Sequence, residues 1–481
     1  MSRLVLSLVS HTNVGKTTLA RTLLRRDVGE VFDQAHVTDE TESFALLEGA
    51  DGASVVLADT PGFGDSARLL RKLRAIENPL GWLLAQLWDR FADRAFFCSQ
   101  QAVRHVRDEA DAVLYLVNAS EDPGAASYVA AELQILDWIA RPVIVLLNQT
   151  GVPGDAAARS RDEARWRAIA GEHPSVRDVL VLDAFTRCWV QEARLFERIR
   201  DVLPAERREL AEALLARWRD DQLAALRGSL DAMAALLGAA ASDGEPVAAG
   251  RLGRAERRRA TDALTRRLES VVADTNERLI ALHGLCGEAA EELRVALEDV
   301  AAPHDRAPAW RRGMVGGIVG GALGGLAADI ATGGLSFGGG TVAGAILGAA
   351  GLGGLAWGYE LLGAGEEPRV AWSADFLERM TEDTLLRYLA VAHSGRGAGA
   401  FRLREPPVVW RNAVRRALEP RRGALREALA AARARSDADP AGAARRSLRP
   451  LLDAALRAAL LELYPESAAL LAPRALLPGD R

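Results

Sequence analysis

One of the chain's two lysines stands in a segment whose residue types and spacing suit the binding of a phosphate chain. Among 60 basic residues only Lys16 and Lys72 are lysines, and all the others are arginines. Lys16 belongs to the run NVGKTT at residues 13–18. Lysine is a compact point charge and arginine a wide planar fork, so a loop that wraps its backbone around phosphates has room for lysine. The pattern therefore predicts a phosphate-binding loop with Lys16 as its cation.

The flanking residues predict the strand and the helix that must hold this loop. An apolar run at residues 4–9 is typical of a strand, and residues 18–24 of a helix. The loop between them, SHTNVGKT, fits the pattern GxxxxGKS or GxxxxGKT, except that Ser10 replaces the first glycine, which predicts slight strain. Lys16 would contact the β- and γ-phosphates and Thr17 would bind Mg²⁺, whereas His11 is expected to be structural. The predicted nucleotide-binding residues of the loop are Ser10, His11, Thr12, Asn13, Val14, Gly15, Lys16, Thr17 and Thr18.

A second motif, DTPG at residues 59–62, supplies what a phosphate loop needs for a metal ion. It follows the apolar run 55–58 and fits the pattern DxxG, in which an aspartate at a strand end holds the shell of Mg²⁺. The amide of Gly62 would sense the γ-phosphate. Thr38 lies between the motifs, where a mobile loop would offer its hydroxyl to Mg²⁺, although a merely solvated threonine is the alternative. The predicted metal ligands are Thr17, Thr38 and Asp59.

Up to about residue 200 the sequence alternates short apolar runs with helical stretches. Near-continuous aliphatic runs are typical of parallel strands that helices cover on both faces. The predicted strands are residues 4–9, 55–59, 112–118, 143–148 and 179–183. Because helices separate them, we predict an α/β fold of the P-loop NTPase kind at residues 1–203, with a doubly wound and mostly parallel sheet. Helices inserted at about 64–110 would interrupt it.

After Pro204 the strand pattern stops and helical signals dominate. Leu210, Leu214 and Trp218 follow each other at helical spacing. We predict an all-α second half, with helices at about 253–300, 372–392, 408–434 and 441–463. Its divisions would be a helical region at 204–310, a glycine-rich apolar hairpin at 311–365 and a C-terminal helical region at 366–481.

Residues 313–359 hold 18 of the 44 glycines, many of them four residues apart, a spacing that lets helix backbones touch and is favoured in membranes. Two apolar arms, 314–331 and 341–358, predict a helical hairpin. Trp357 and Tyr359 stand at one end like interfacial anchors. This predicts contact with membrane lipid through 313–359. A soluble hairpin of tightly packed helices and a flexible linker are the alternatives, which hydropathy cannot separate.

The composition of the chain indicates which cellular compartment and which binding partners to expect. A net charge of −5 gives no general attraction to nucleic acid, so no nucleic-acid partner is expected. The three cysteines lie far apart without a CxxC pair, which argues against a disulfide framework or zinc site and for a reducing compartment. No secretory signal is visible. We expect a cytoplasmic protein, peripheral to or inserted in the cytoplasmic membrane if the glycine-rich segment contacts lipid.

In its phosphate loop and its DxxG motif the chain resembles the TRAFAC-class GTPases of the Era/TrmE-like group. More narrowly, it resembles bacterial GTP-binding proteins with a C-terminal helical domain of unknown function. The resemblance rests on the loop HTNVGKT, VGEV at 28–31, DTPGF at 59–63 and LDAF at 182–185, and it covers about residues 1–200. It implies binding of GTP and GDP, with Mg²⁺ as cofactor. The predicted catalytic residues are Lys16, Asn13 and Thr38.

Two features of the resemblance bear on hydrolysis. Asn13 matches the asparagine that in this group helps to bind K⁺ beside the phosphates, which makes K⁺ a second candidate cofactor; capping of a turn is the alternative role. Phe63 occupies the position after DxxG where many GTPases have a water-orienting glutamine, so hydrolysis should be slow or assisted otherwise. A homodimer of paired G domains is left open.

The base-recognition loop departs from the pattern NKxD, whose aspartate binds guanine. Gln149 replaces the lysine, Gly151 offers no carboxylate, and Asp155 is a weak substitute. Guanine preference is therefore implied by the resemblance alone, and an ATPase is an alternative. The residues expected near the base are Asn148, Asp183 and Ala184.

The main hypothesis is a molecular-switch GTPase that hydrolyses GTP to GDP slowly, with Mg²⁺. Its helical half would respond to the loops near Thr38 and Phe63. The alternative from another class is a nucleotide-binding scaffold or membrane-interaction protein with negligible turnover. Ser10, Phe63 and the altered base loop favour that alternative.

Overall fold

The computed structural model describes large parts of both halves of the chain. The described residues are 3–25, 41–49, 52–85, 94–151, 156–184, 187–247, 254–285, 290, 293–294, 359–362, 368–394, 406–434 and 440–472. Thr38, Asp155 and the predicted hairpin arms at 314–331 and 341–358 lie outside these residues.

A six-stranded sheet forms the centre of the N-terminal half. Its strands are β1 (Arg3–Ser10), β2 (Glu42–Glu48), β3 (Ser54–Asp59), β4 (Ala112–Asn118), β5 (Val143–Asn148) and β6 (Val176–Val181). Their order is β2-β3-β1-β4-β5-β6, and every neighbouring pair is parallel except β2 with β3. The five predicted strands and the mostly parallel sheet are confirmed. The sequence pattern misses β2, because an edge strand that carries Glu and Ser lacks the apolar run of a covered strand.

Helices cover both faces of this sheet. They are α1 (Lys16–Leu24), α2 (Ser66–Leu73), α3 (Pro79–Ala85), α4 (Arg94–Asp108), α5 (Ser127–Ile139), α6 (Ala156–Ala170) and α7 (Trp189–Val202). Along β4, alternate side chains enter two separate apolar clusters, so that Leu114 belongs to one cluster and Val113 and Tyr115 to the other. The stretch predicted to hold inserted helices contains α2, α3 and α4.

The second half is mostly helical, as the sequence predicts, but it is not all-α. Its described helices are α8 (Ala205–Ser242), α9 (Arg254–Leu282), α10 (Ala374–Ala392), α11 (Val408–Leu418), α12 (Arg422–Ala434), α13 (Pro440–Leu463) and α14 (Ala468–Leu471). A small antiparallel sheet consists of β7 (Gly244–Pro246), β8 (Tyr359–Leu362) and the central β9 (Arg369–Trp372). The sequence pattern misses this sheet because strands of three or four residues are too short for alternation to show.

Tyr359, predicted to be an interfacial anchor, is a core residue instead. It is 1% exposed, and its ring stacks on that of Trp372 with the centroids 4.7 Å apart. Its hydroxyl lies 3.0 Å from the hydroxyl of Thr265 on α9. Pairing of β8 with β9 places the ring in the core, so the predicted membrane position of Tyr359 is wrong.

Among the described helices, α8 alone is long and apolar enough to cross a membrane by length and composition. Its most apolar window is 61% buried within the protein. One of its partners is α13, which approaches so closely that a Cβ added at Gly238 would collide with the Cβ of Ala444. Glycine at this position therefore sets the distance between the two helices.

Two buried histidines link the stability of the protein to pH. Nδ1 of His393 lies 2.7 Å from the carbonyl oxygen of Leu389 and must carry the hydrogen, so Nε2 accepts from the hydroxyl of Tyr464, also at 2.7 Å. Burial lowers the pKa of His393 to about 3, and that of His283 likewise to about 3. The unfolded chain therefore binds more protons than the folded chain below about pH 6.5. This contribution to stability is present above that pH and is lost as the pH falls.

We expect His393→Gln to remove one of these two contributions. Between pH 7.5 and pH 5.5 the wild type should lose about 1.4 kcal/mol more unfolding free energy than the variant does. Urea unfolding at both pH values measures the difference. Asp383, whose pKa burial raises to about 7, acts with the opposite sign but equally in both proteins, so it cancels. An equal loss in the two proteins would contradict a neutral, buried His393.

Candidate nucleotide-binding site

The predicted phosphate loop is the turn between β1 and α1. Strand β1 ends at Ser10, and α1 begins at Lys16 with Gly15 as its N-cap, at a left-handed φ of 93°. A Cβ at residue 15 would lie 2.9 Å from Nδ2 of Asn148, so the backbone and the neighbour both require glycine. Asn13 is also left-handed, with φ 63°, a conformation that asparagine tolerates. Ser10 itself has no positive φ, so the left-handed bend of the loop is at Asn13 instead.

Lys16 lies buried beneath this loop, with 8% of its surface exposed. Its Nζ donates to the hydroxyl of Ser10 at 3.3 Å. A Cβ added at Gly62 would be 3.0 Å from the same nitrogen, so the DxxG segment lies directly against the ammonium group. Burial lowers the pKa of Lys16, and the carboxylates of Asp59 and Glu132 oppose that shift. The site therefore holds a desolvated cation where an anionic ligand would be stabilised.

Thr17 and Asp59 meet where α1 begins and β3 ends. The hydroxyl of Thr17 donates to Oδ2 of Asp59 at 2.6 Å. Oδ1 of Asp59 is buried and has no hydrogen-bond partner among the described residues. Burial raises the pKa of Asp59, while Lys16 and the Thr17 hydrogen bond lower it. An unpaired carboxylate oxygen beside a hydroxyl fits a hard divalent cation such as Mg²⁺.

The DxxG segment rests on the phosphate loop. The amide of Phe63 donates to the carbonyl of Ser10 at 2.9 Å, and a Cβ added at Gly62 would be 3.1 Å from Cγ2 of Thr12. The side chain of Phe63 is fully buried in the apolar cluster between the sheet and the helices. Packing of the core therefore explains the apolar residue at the position after DxxG.

Asn148 joins the phosphate loop to the loop that follows β6. Its Nδ2 donates to the carbonyl of Val14 at 2.7 Å, and its Oδ1 accepts from the amide of Ala184 at 2.8 Å. Oδ2 of Asp183 accepts from the amide and the hydroxyl of Thr150, at 2.6 and 3.0 Å. The three residues expected near the base therefore lie together, and the carboxylate of Asp183 stabilises the altered base loop.

The structure brings the described candidates to one edge of the sheet. They lie in the phosphate loop, in the first turn of α1, or at or just after the ends of β3, β5 and β6. These residues are Ser10, His11, Thr12, Asn13, Val14, Gly15, Lys16, Thr17, Thr18, Asp59, Gly62, Asn148, Asp183 and Ala184. No described side chain caps the first turn of α1, so its amides are available to an anion.

One buried carboxylate near this edge belongs to no sequence motif. Glu132, on α5, is fully buried and accepts hydrogen bonds from His11, Ser66 and Tyr115. Its signal in the sequence is a lone glutamate within the apolar run at residues 129–136, since a charge on the covered face of a helix is rare unless it is paired.

An uncapped helix N-terminus, a buried lysine and a threonine–aspartate pair suited to Mg²⁺ define a P-loop nucleotide-binding protein. Comparison with known families narrows the class, because residues 5–149 match the family described as 50S ribosome-binding GTPase. Residues 175–454 match the domain of unknown function DUF3482. That match spans more than half of the 481 residues, so the chain belongs to the DUF3482 family. Its N-terminal half is a P-loop domain similar to that GTPase family, and a DUF3482 domain follows it.

Several solved structures show a weak similarity to the chain. Two structures of Era share 19% identity over 42% of this chain and 58% of theirs, with a TM-score of 0.32. One is an Aquifex aeolicus Era variant bound to GDP·AlF4⁻, and the other is Era with MgGDPNP and nucleotides 1506–1542 of 16S ribosomal RNA. A bacterial selenocysteine-specific elongation factor shares 13% identity over 42% of this chain and 29% of its own, with a TM-score of 0.27. A comparison with curated proteins found no match.

Proposed function

We propose that this chain is a molecular switch that binds GTP with Mg²⁺ and hydrolyses it to GDP. The observation that carries the proposal is the convergence of Lys16, Thr17 and Asp59 at the uncapped N-terminus of α1. Amides at a helix N-terminus bind phosphate oxygens, and a buried ammonium group adds a full positive charge. Preference for guanine is supported by the match to the GTPase family.

The hydroxyl of Thr17 and the carboxylate of Asp59 would hold Mg²⁺. Oδ1 of Asp59 is the atom that most needs such a partner, because it is buried without one among the described residues. When bound, Mg²⁺ neutralises charge on the β- and γ-phosphates. Lys16 would add a second positive charge at the same phosphates, and Gly62 lies close enough to Nζ that a Cβ added there would be 3.0 Å away.

We propose that K⁺ assists the hydrolysis of GTP. Asn13 matches the asparagine that binds K⁺ in the group that this chain resembles, and it lies at the left-handed bend of the phosphate loop. Phe63 is buried in the core, so the position after DxxG offers no side chain to orient water. A cation beside the phosphates would stabilise the charge that develops as the β–γ bond breaks.

The helical half is proposed to respond to the nucleotide through the end of α1. Arg25, the C-cap of α1, donates to Gln222 at 2.9 Å, to Glu192 at 3.3 Å and to the carbonyl of His283 at 3.3 Å. These partners lie on α7 and α8 and directly after α9. Thr38, near which the sequence predicts a mobile switch loop, follows Arg25 in the chain before the next strand, β2, begins. A change in that loop would therefore reach three helices through one side chain.

Association with the cytoplasmic membrane through 313–359 is part of the proposal, and the composition of that segment supports it. A homodimer that pairs two G domains and the absence of a nucleic-acid partner also stay predictions. Tyr359 is fixed in the core, so a deletion that tests the membrane contact should end before it. Removal of 314–357 meets that condition.

One set of hydrolysis measurements tests the proposal. We expect Mg²⁺-dependent turnover of GTP that is at least about tenfold faster in K⁺ than in Na⁺ buffer, a difference of about 1.4 kcal/mol in the barrier. Asn13→Ala should remove the advantage of K⁺ and leave GTP binding in place. The same assay with lipid vesicles, followed by flotation, should recover the full chain in the vesicle fraction and lose it when 314–357 are deleted.

Each contrary outcome would contradict a different part of the proposal: turnover, membrane contact or the preference for guanine. No hydrolysis of GTP in either buffer would favour a nucleotide-binding scaffold with negligible turnover. Equal flotation of the full and the shortened chain would contradict membrane contact through the glycine-rich segment. An ATPase is the second candidate, because Gly151 offers no carboxylate and Oδ2 of Asp183 is engaged by Thr150. ATP that competes as well as GTP would establish it.

A further inference from the structure

A buried carboxylate joins the phosphate loop to the helix that follows the DxxG segment. Oε1 of Glu132 lies 2.7 Å from Nδ1 of His11 and accepts from the hydroxyl of Ser66 at 2.5 Å. Oε2 accepts from the hydroxyl of Tyr115 at 2.8 Å. His11 belongs to the phosphate loop, Ser66 is the first residue of α2, and Tyr115 lies on β4. One side chain therefore holds three elements together.

The arrangement of donors shows which of these elements the carboxylate couples most directly. The donors from the phosphate loop and from α2 share one oxygen, Oε1, whereas the donor from the core strand uses the other. The ring of His11 also packs on Tyr128 of the same helix α5, with centroids 4.5 Å apart, which limits its rotation. A buried charge is retained at a cost in desolvation, and here two of its three hydrogen bonds go to the phosphate loop and to the start of α2, which follows the DxxG segment.

We propose that Glu132 is a positioning residue that sets the affinity for a nucleoside triphosphate relative to the diphosphate. The segment between Asp59 and Ser66 is fastened at both ends, by Thr17 at its start and by Glu132 at its end. Between these points it carries Gly62, which lies against Nζ of Lys16. Without Glu132 the second fastening is lost, so the amide of Gly62 is held less firmly, through Asp59 and through the hydrogen bond of Phe63 to the carbonyl of Ser10. The phosphate loop loses its contact at His11 but keeps those of Val14 with Asn148 and of Lys16 with Ser10, so the groups that would bind a diphosphate change less.

Equilibrium titrations of the full chain with fluorescent analogues of GTPγS and GDP test this inference, which rests on the proposed function for its choice of ligand. Glu132→Gln keeps the size of the side chain and removes its charge, and Glu132→Ala removes all three hydrogen bonds. We expect the affinity for the triphosphate to fall about tenfold or more, the usual result of losing a charge-assisted hydrogen bond. The affinity for the diphosphate should change much less.

A double-mutant cycle shows whether the effect passes through Glu132. Ser66→Ala should lower the ratio of triphosphate to diphosphate affinity in the wild type and should have no further effect in Glu132→Ala. Tyr115→Phe is the matched control, because it removes a donor from the same carboxylate on a core strand away from the loop and from α2. It should leave the ratio unchanged, whatever it does to the urea midpoint.

The outcomes distinguish this inference from the proposed function. Equal losses for both nucleotides, or additive effects of Ser66→Ala and Glu132→Ala, would show a purely structural role and overturn the inference. Full GTP binding by Lys16→Ala would overturn the proposed function itself. An unchanged ratio in Glu132→Gln, with Lys16→Ala unable to bind, would overturn the inference alone. Glu132→Gln also keeps the test decisive if the alanine variant does not fold.

Discussion

Replacing Lys16 with alanine should abolish detectable binding of a fluorescent GTP analogue. The ammonium group of Lys16 is buried between Ser10 and Gly62, at the position where the β- and γ-phosphates are expected. Loss of a charged partner in a buried site costs about 3 kcal/mol, which is about a 100-fold loss of affinity. Fluorescence titration of the wild type and the variant with the same analogue measures the change.

The chain offers a matched control, because Lys72 is its only other lysine. Lys72 is exposed on α2, with its ammonium 4.6 Å from the centroid of the Phe96 ring, and Lys72→Ala should leave GTP affinity unchanged. Lys16→Arg should fail as the alanine variant does, since Ser10 and Gly62 leave no room for a guanidinium group. Undiminished binding by Lys16→Ala would contradict the assignment of the loop. Undiminished binding by Lys16→Arg would contradict the steric explanation for lysine in an arginine-rich chain.

The central sheet can be predicted from the sequence because its strands are covered on both faces. Residues 112–118 and 143–148 alternate between two apolar clusters, so nearly every position is apolar and each run is conspicuous. The small sheet of the second half has no such signal. It pairs residue 244 with residue 371, and no local window of sequence contains both partners. Tyr359 shows the same limit, because an aromatic residue beside a glycine-rich segment looks like an anchor until long-range pairing buries it.

The candidate site likewise contains residues that the sequence predicts and one residue that it does not. The residues at 10–18 and 59–62 form contiguous motifs, so their types and spacing alone predict them. Glu132 belongs to no motif, and it reaches His11 across 121 positions of the chain. Only the packing of α5 against the sheet brings the two side chains together. Sequence patterns therefore reveal the groups that would touch the nucleotide, and the fold reveals the group that positions them.

The largest effect on stability is expected at a buried ion pair of the N-terminal half, beside Arg25, which also donates to Gln222 on α8. The carboxylate of Glu192 is 2% exposed and lies 2.9 Å from Nε of Arg187 and 3.3 Å from Nη2 of Arg25. Arg187 is 4% exposed, so this ion pair has been taken out of water. Removal of one member of a buried ion pair lowers the free energy of unfolding by more than the intact pair contributes to it, because the remaining charge stays buried with less compensation.

Glu192→Ala should therefore lower the free energy of unfolding by about 3–5 kcal/mol in urea titrations. Glu192→Gln, which keeps the size and one accepting oxygen, should lose less. Glu197→Ala is the matched control, because Glu197 lies on the same helix but pairs with Arg219 nearer the surface, and it should cost less than about 1 kcal/mol. A loss at Glu192 no larger than the loss at Glu197 would show that the buried pair stabilises the protein no more than the pair nearer the surface does.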